Sequence, residues 1–288
     1  MGQVRQLLSL SCWVGAMLML LAFGTTTAHA QTMNRLAETG VIRLGMSEFS
    51  PPYSYLTING QPAGLAVQLC ILIAEELERS SFPQLKAEFI PVAAERRFSA
   101  IDEGLLDMHC GANTITLQRR ELVDFSLPFF IDGAGVLLRD PGPRSFEDLA
   151  GAKIAVVSGT TTEASLNAAL EQAGINATII GVRNHAAAME LITNNDVTAY
   201  YGDRGILQYL MATEPNDGLR LANRYFTYET YGLALPRGDE EFRLLVDRIL
   251  AEIFRSGQIQ SLLSDSFGAN AQISDIVKHL YLIAGLPE

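Results

Sequence analysis

Three stretches of the chain carry groups suited to holding a small charged ligand. In CGANTITLQRRELVDFS, Cys110 to Ser126, small and hydroxyl residues precede a pair of arginines. The hydroxyls of Thr114 and Thr116 and the amides around them offer neutral donors, and Arg119 offers a planar fork that matches a carboxylate. The same residues fit a plainer account, with Thr116 capping a helix and Arg119 paired to a surface acid such as Glu121. Ser158-Gly159-Thr160-Thr161-Thr162, followed by Glu163, is the second stretch. Its glycine permits a tight turn, and free amides at the next helix start receive an anion. A helix cap with Glu163 in the first turn accounts for it equally, and no Gly-Lys-Ser/Thr triplet follows to make it a nucleotide loop. Asp203 is the third, directly after VTAYYG. Its carboxylate either accepts from an ammonium group or caps the helix that follows. Two carboxylate seats and one ammonium seat match the two poles of an α-amino acid.

Nothing in the sequence assembles a catalytic apparatus. Ser158 lacks a G-x-S-x-G setting, and Arg119 stays protonated, which makes it a poor general base. Outside the first thirty residues the chain has two cysteines, Cys70 and Cys110, and three histidines, without zinc-ligand spacing. On a strand, His109 and Cys110 point to opposite faces. The two cysteines either form one disulfide or remain buried thiols.

The elements that must position these groups alternate. Val41 to Met46 reads as a strand opening into the proline-rich loop FSPPYSY. After the turn Asn59-Gly60, GLAVQLCILIAEELER has apolar residues at helical spacing, with Glu75, Glu76 and Glu78 on the wet side. Leu85 to Val92 is a strand, Arg97 to Glu103 a short helix and Asp107 to Cys110 a strand. The pattern repeats through LAGAKIAVVSG, TTEASLNAALEQAG, INATIIGV, HAAAMELITN, VTAYYG and DRGILQYLMA. Two α/β sets of this kind make open sheets whose ligands sit beyond the carboxyl ends of strands. Extended segments stand at the joins, near 131–139 and 229–237, and helices follow from about 239 to 256, 259 to 265 and 274 to 284. Pattern alone leaves those last helices free to join either set.

Composition narrows the partners. The chain has 288 residues, 48% of them hydrophobic, and a formal net charge of -11. Residues 1–30 read as a cleavable leader, with Arg5 before an apolar stretch and Ala28-His29-Ala30 at the cut, which implies export to a periplasm. Its removal takes one basic residue and the single tryptophan, Trp13, so aromatic ligand contacts fall to Tyr and Phe. The acidic balance argues against a nucleic-acid backbone as partner.

Taken in order, SPPYSY, the glycine opening the first long helix, Cys110-Gly111 through Val123-Asp124-Phe125-Ser126, VVSGTT, Asn184-His185, Asp203 and Ser274-Asp275…Lys278 carry a resemblance. The chain resembles the periplasmic amino-acid-binding proteins of ABC importers, and among them the glutamate/aspartate-binding type. The resemblance implies a two-lobed type II periplasmic-binding-protein fold with two crossover hinge strands. Its lobes would comprise 31–134 with 231–288, and 135–230. It implies a monomer that closes on an amino acid and presents it to permease subunits in the inner membrane, with no cofactor. Arg119 would then hold the α-carboxylate with Thr114 and Thr161, Asp203 the α-ammonium, and Arg97 and His185 the acidic side chain. Protonation of His185 near its ordinary pKa of about 6.5 would favour an anionic ligand.

The chain departs from the resembled pattern in one loop. Those proteins carry an arginine just after Gly-x, where this chain has Gly45-Met46-Ser47-Glu48. Ser47 donates a hydrogen bond but supplies no charge, and a lost charge-assisted contact costs about 1.5–3 kcal/mol. Arg96 is the expected substitute. Ala94 and Ala112 also stand where hydroxyls are expected, which brings glutamine and asparagine close behind the acidic amino acids. Periplasmic cyclohexadienyl dehydratases and soluble sensory binding proteins share the resemblance and are the alternatives.

Overall fold

The computed structural model describes residues 31–213, 218–269 and 273–287, so the leader reading lies outside the described residues. The first sheet is built on β1 (Val41–Met46), which leads into a small antiparallel meander of β2 (Phe49–Ser50), β3 (Ser54–Leu56) and β4 (Pro62–Ala63). The strands β5 (Lys86–Pro91), β6 (Met108–Thr114), β7 (Val123–Phe125) and β8 (Phe130–Asp132) follow. The second sheet holds β9 (Ala134–Arg139), β10 (Lys153–Val157), β11 (Thr178–Val182), β12 (Ala199–Asp203) and β13 (Leu219–Leu221). With β14 (Glu229–Pro236) the chain is back in the first sheet.

The first sheet runs β5-β1-β6-β14-β7, with β8 also on β14, and the second runs β11-β10-β12-β9-β13. In each sheet three strands are parallel, β5, β1 and β6 in one and β11, β10 and β12 in the other. The return strands β14 and β9 run antiparallel to them. This geometry points the carboxyl ends of both parallel sets toward the space between lobes.

The chain crosses between sheets at two adjacent places. Gly133 is the single residue between β8 and β9, and a Cβ placed there would lie 1.9 Å from the carbonyl oxygen of Thr227 in the second crossing. Only glycine allows the two crossing backbones to touch. Hydrogen bonds lace them together, from the Ala134 amide to Thr227 Oγ1 at 2.9 Å and from the Phe226 amide to the Ala134 carbonyl at 2.9 Å. Under the crossing, Tyr53 packs edge-on against Phe130, Tyr231 and Phe267.

The helix Leu65–Ser80 buries Leu65, Val67, Leu69, Ile73 and Leu77 against the first sheet. Gly64 opens it at φ 110°, where a Cβ would strike the Tyr53 backbone at 2.5 Å. Cys70 of this helix is bridged to Cys110 of β6, with Cα atoms 6.1 Å apart, which decides between the disulfide and thiol alternatives. The last helices, Glu240–Arg255, Ile259–Phe267 and Asp275–Ala284, pack on the first lobe. Tyr281 there donates to the Phe129 carbonyl at 3.1 Å, and Asp247 accepts from the Leu127 amide at 2.6 Å.

One element differs from expectation in a way that bears on function. The strand expected to end at Cys110 runs on to Thr114. Its extension is paired to β14, Asn113 with Gly232 and Thr114 with Tyr231, and that partner strand arrives more than a hundred residues later. The short strands β2–β4, β7 and β13 and the helix Gln31–Thr39 were also not anticipated; all but the helix are only two or three residues long.

Candidate ligand-binding cleft

Between the lobes lies a cleft of about 450 Å³. The first lobe lines it with Ser47, Phe49, Ala94, Arg97, His109, Ala112 and Asn113, the second with Val157, Thr160, Arg183, Asn184, His185 and Asp203. Most of these residues stand at or just after the carboxyl ends of β1, β5, β6, β10, β11 and β12, or begin the helices that follow.

Near the crossing, three residues from distant parts of the chain converge. Glu229 Oε2 accepts from the Thr114 hydroxyl at 2.5 Å and from the Thr161 hydroxyl at 2.8 Å, and the two hydroxyl oxygens are 3.1 Å apart. Thr227 donates to the other carboxylate oxygen at 2.8 Å. Arg119 lies beside this cluster: its Nη1 donates to the Thr114 carbonyl at 2.8 Å, and its guanidinium sits 4.9 Å from the Phe98 ring centre. Burial draws the Arg119 pKa down, and the charges of Glu229 and Asp203 oppose the shift. The plainer account of this stretch is half right. Thr116 does accept from the Arg119 amide at 3.1 Å, opening a single 3-10 turn over Arg119–Glu121, but the Arg119 side chain turns inward.

The second stretch is a helix cap, and Thr161 is spared from it. Thr160 Oγ1 accepts from the Glu163 amide at 3.1 Å, while Glu163 accepts from the Gly159 amide at 2.9 Å. Thr161 is thereby left to reach across the lobe boundary to Glu229. At the end of β12, the amides that open the next helix are taken elsewhere, Arg204 by the Gly133 carbonyl and Gly205 by Asp132 at 3.0 Å. Asp203 is therefore not needed as a cap. Its Oδ1 is buried without a hydrogen-bond partner. Burial, then the charges of Glu229 and Asp132, hold its carboxyl well above the usual range.

On the opposite wall Arg97 is buried, with Nη1 on the Ala94 carbonyl and Nε unpartnered. Burial and the neighbouring Arg119 lower its pKa to about 9, so it remains cationic at neutral pH. His109, buried beside it, has no hydrogen-bond partner on either ring nitrogen. Burial and Arg97 push it down to about 3, so the ring is neutral. His185 is buried too, and its Nδ1 meets the Tyr200 hydroxyl. Burial alone lowers it to about 4, which corrects the expectation of a titration near 6.5. With the phenol donating to Nδ1, we assign the proton of the neutral ring to Nε2.

Ser47 is on the cleft wall, its hydroxyl 2.7 Å from that of Ser50. Arg96 is not on the wall. Both its terminal nitrogens pair with Glu103 at 2.9 Å on the exposed surface, so it does not supply the charge that Ser47 lacks. Arg183 is on the wall, exposed, and its side chain has no partner among the described residues. His109, Asn113, Arg183 and Glu229 were not picked out from the sequence. Strand alternation puts His109 and Asn113 on the face opposite Cys110, but only the extension of β6 brings that face to the cleft. Among the described residues no cluster of His, Cys, Asp and Glu is arranged to hold a metal, and no helix is long and apolar enough to cross a membrane.

Residues 42–269 match the family described as bacterial extracellular solute-binding proteins, family 3. The L-glutamate/L-aspartate-binding protein of Pseudomonas aeruginosa is 27% identical over 241 residues, covering 82% of this chain and 80% of its own. The glutamate/aspartate import solute-binding protein of Salmonella typhimurium is 27% identical over 267 residues, covering 88% of each. A solved structure, the ancestral amino acid-binding protein AncCDT-1, a precursor of cyclohexadienyl dehydratase, superposes with a TM-score of 0.72 at 27% identity. It covers 82% of this chain and 100% of that one.

Proposed function

The chain belongs to the bacterial extracellular solute-binding proteins, family 3, and from that membership and its cleft we propose that it captures an acidic α-amino acid, glutamate or aspartate, for an ABC importer. One observation carries the choice of ligand. A buried cation, Arg97, and a buried carboxyl, Asp203, face the same cleft from opposite lobes, and each has an atom without a partner, Nε and Oδ1. A buried polar atom left without a partner is costly, so each wall suits a partner of opposite sign that arrives with the ligand.

In this reading Asp203 receives the α-ammonium and Arg119 the α-carboxylate. The hydroxyls of Thr114 and Thr161 donate to Glu229, so what they offer a ligand is lone pairs, which suit the ammonium better than the carboxylate. Arg97 takes the side-chain carboxylate, and His185 assists as a neutral donor rather than as a cation. Ser47, Ala94 and Ala112 add little charge, which keeps glutamine and asparagine as the nearest competitors. Only the closed form makes both sets of contacts, so the ligand shifts the population toward closure. The closed lobes then dock on permease subunits in the inner membrane. Residues 1–30 serve as the leader that exports the chain to the periplasm. The family is one of binding proteins, and no residue is assigned a catalytic role.

The test is a thermal-shift panel of the amino acids on leader-free protein. Glutamate or aspartate gives the largest shift. A response only to neutral or cationic amino acids rejects the acidic reading.

A further inference from the structure

The cleft poses an electrostatic problem that Arg97 alone does not solve. An acidic amino acid brings two carboxylates and one ammonium, and the side-chain carboxylate needs contacts from both walls if its charge is to favour the closed form. On the first lobe, Ser47 is neutral and engaged with Ser50, and Arg96 faces outward to Glu103. Among the described residues lining the cleft, the cations are Arg97 on one wall and Arg183 on the other.

Arg183 has the placement such a contact requires. It follows β11 directly and precedes the helix His185–Thr193, whose cap Asn184 accepts from the Ala187 amide at 2.9 Å. The backbone there is pinned while the guanidinium stays exposed and unpartnered. It is exposed, whereas Glu229 and the Asp203 carboxyl are buried, which suits the far end of a ligand held by its α-groups. One acid lines the facing wall, Glu48, which is also exposed.

Resting on the acidic-ligand reading, we propose that Arg183 is a specificity-determining residue that closes over the ligand's side-chain carboxylate from the second lobe, opposite Arg97. The contact forms as the lobes close on the ligand. It therefore slows release more than it speeds capture. It also separates glutamate from glutamine, since a planar guanidinium fork meets two carboxylate oxygens but only one amide oxygen.

Calorimetric titration of the wild type and Arg183→Gln with glutamate and with glutamine tests this. Because the side chain is exposed and unpartnered, the variant should melt with the wild type. The expected result is a glutamate-to-glutamine affinity ratio reduced by about tenfold to a hundredfold. The salt dependence of glutamate binding weakens with it, and Arg183→Lys recovers part of the ratio. An unchanged ratio overturns the proposal, including the case in which both ligands weaken equally, which would mean that Arg183 serves closure through Glu48. In either case the wild type still binds glutamate and the acidic reading stands. Failure of the wild type to bind any acidic amino acid overturns both.

Discussion

The hydroxyl oxygen of Thr114 lies 3.1 Å from that of Thr161, although Thr114 ends a strand of the first sheet and Thr161 opens a helix of the second lobe. Glu229, on the strand that returns to the first lobe, accepts from both. A hydrogen-bonded tie between the lobes thus sits beside the residues proposed to hold the α-groups. Replacing Glu229 with Ala leaves buried hydroxyls without their acceptor and should lower stability by about 1–3 kcal/mol. Urea denaturation of the variant measures it, and a change within error would mean the tie carries no net energy.

Ligand binding should release protons. Burial and the charges of Glu229 and Asp132 hold Asp203 well above the usual carboxylate range, and an ammonium placed against it favours the ionised form. Amino-acid affinity therefore rises with pH across the window in which Asp203 still holds its proton before binding. His185, already lowered to about 4, supplies no opposing trend between pH 5.5 and 8. Calorimetry in buffers of different ionisation enthalpy reads the released protons directly; net proton uptake would contradict this assignment.

His109 and His185 should each make the folded protein lose stability as pH falls below about 6.5. His109 and His185 titrate near 3 and 4 when folded but near 6.5 when unfolded, so the unfolded chain binds protons that the folded chain refuses. The loss accumulates down to those lower values and then levels off. Asp132, raised to about 6 by burial, and Asp203, held well above the usual range, work the other way, since each keeps a proton in the folded state that the unfolded chain releases. His185→Gln should therefore flatten the acid side of a melting-temperature profile. An acid limb as steep as that of the wild type would contradict the role given to His185.

The Cys70–Cys110 bridge ties the first long helix to the central strand across 40 residues of sequence. Its removal as Cys70→Ser with Cys110→Ser should cost about 2–4 kcal/mol. Reductant should shift the wild type toward the double variant in denaturant titrations and leave the variant unmoved.

Much of this arrangement was legible in the sequence because it is local. The helix Thr161–Ala173 ends at Gly174, the glycine that closes TTEASLNAALEQAG, and Asp203, directly after VTAYYG, stands at the end of β12. What escaped depends on residues far apart in the chain. Thr114 belongs to a strand only because β14 pairs with it, and Glu229 meets Thr114 across 115 positions. The outward turn of Arg96 was hidden for a related reason, since its partner Glu103 lies just past the far end of the helix Arg97–Asp102. Its neighbour Arg97 is buried instead, and adjacent arginines on a helix start cannot both face one cleft.

The account turns on a zwitterion held at both poles, by Arg119 and by Asp203. Calorimetric titration of leader-free protein with glutamate, glutarate and γ-aminobutyrate tests that directly, since the last two each lack one α-group. The account predicts saturable binding of glutamate and no measurable binding of either analogue. Binding of either analogue as tightly as glutamate would contradict it.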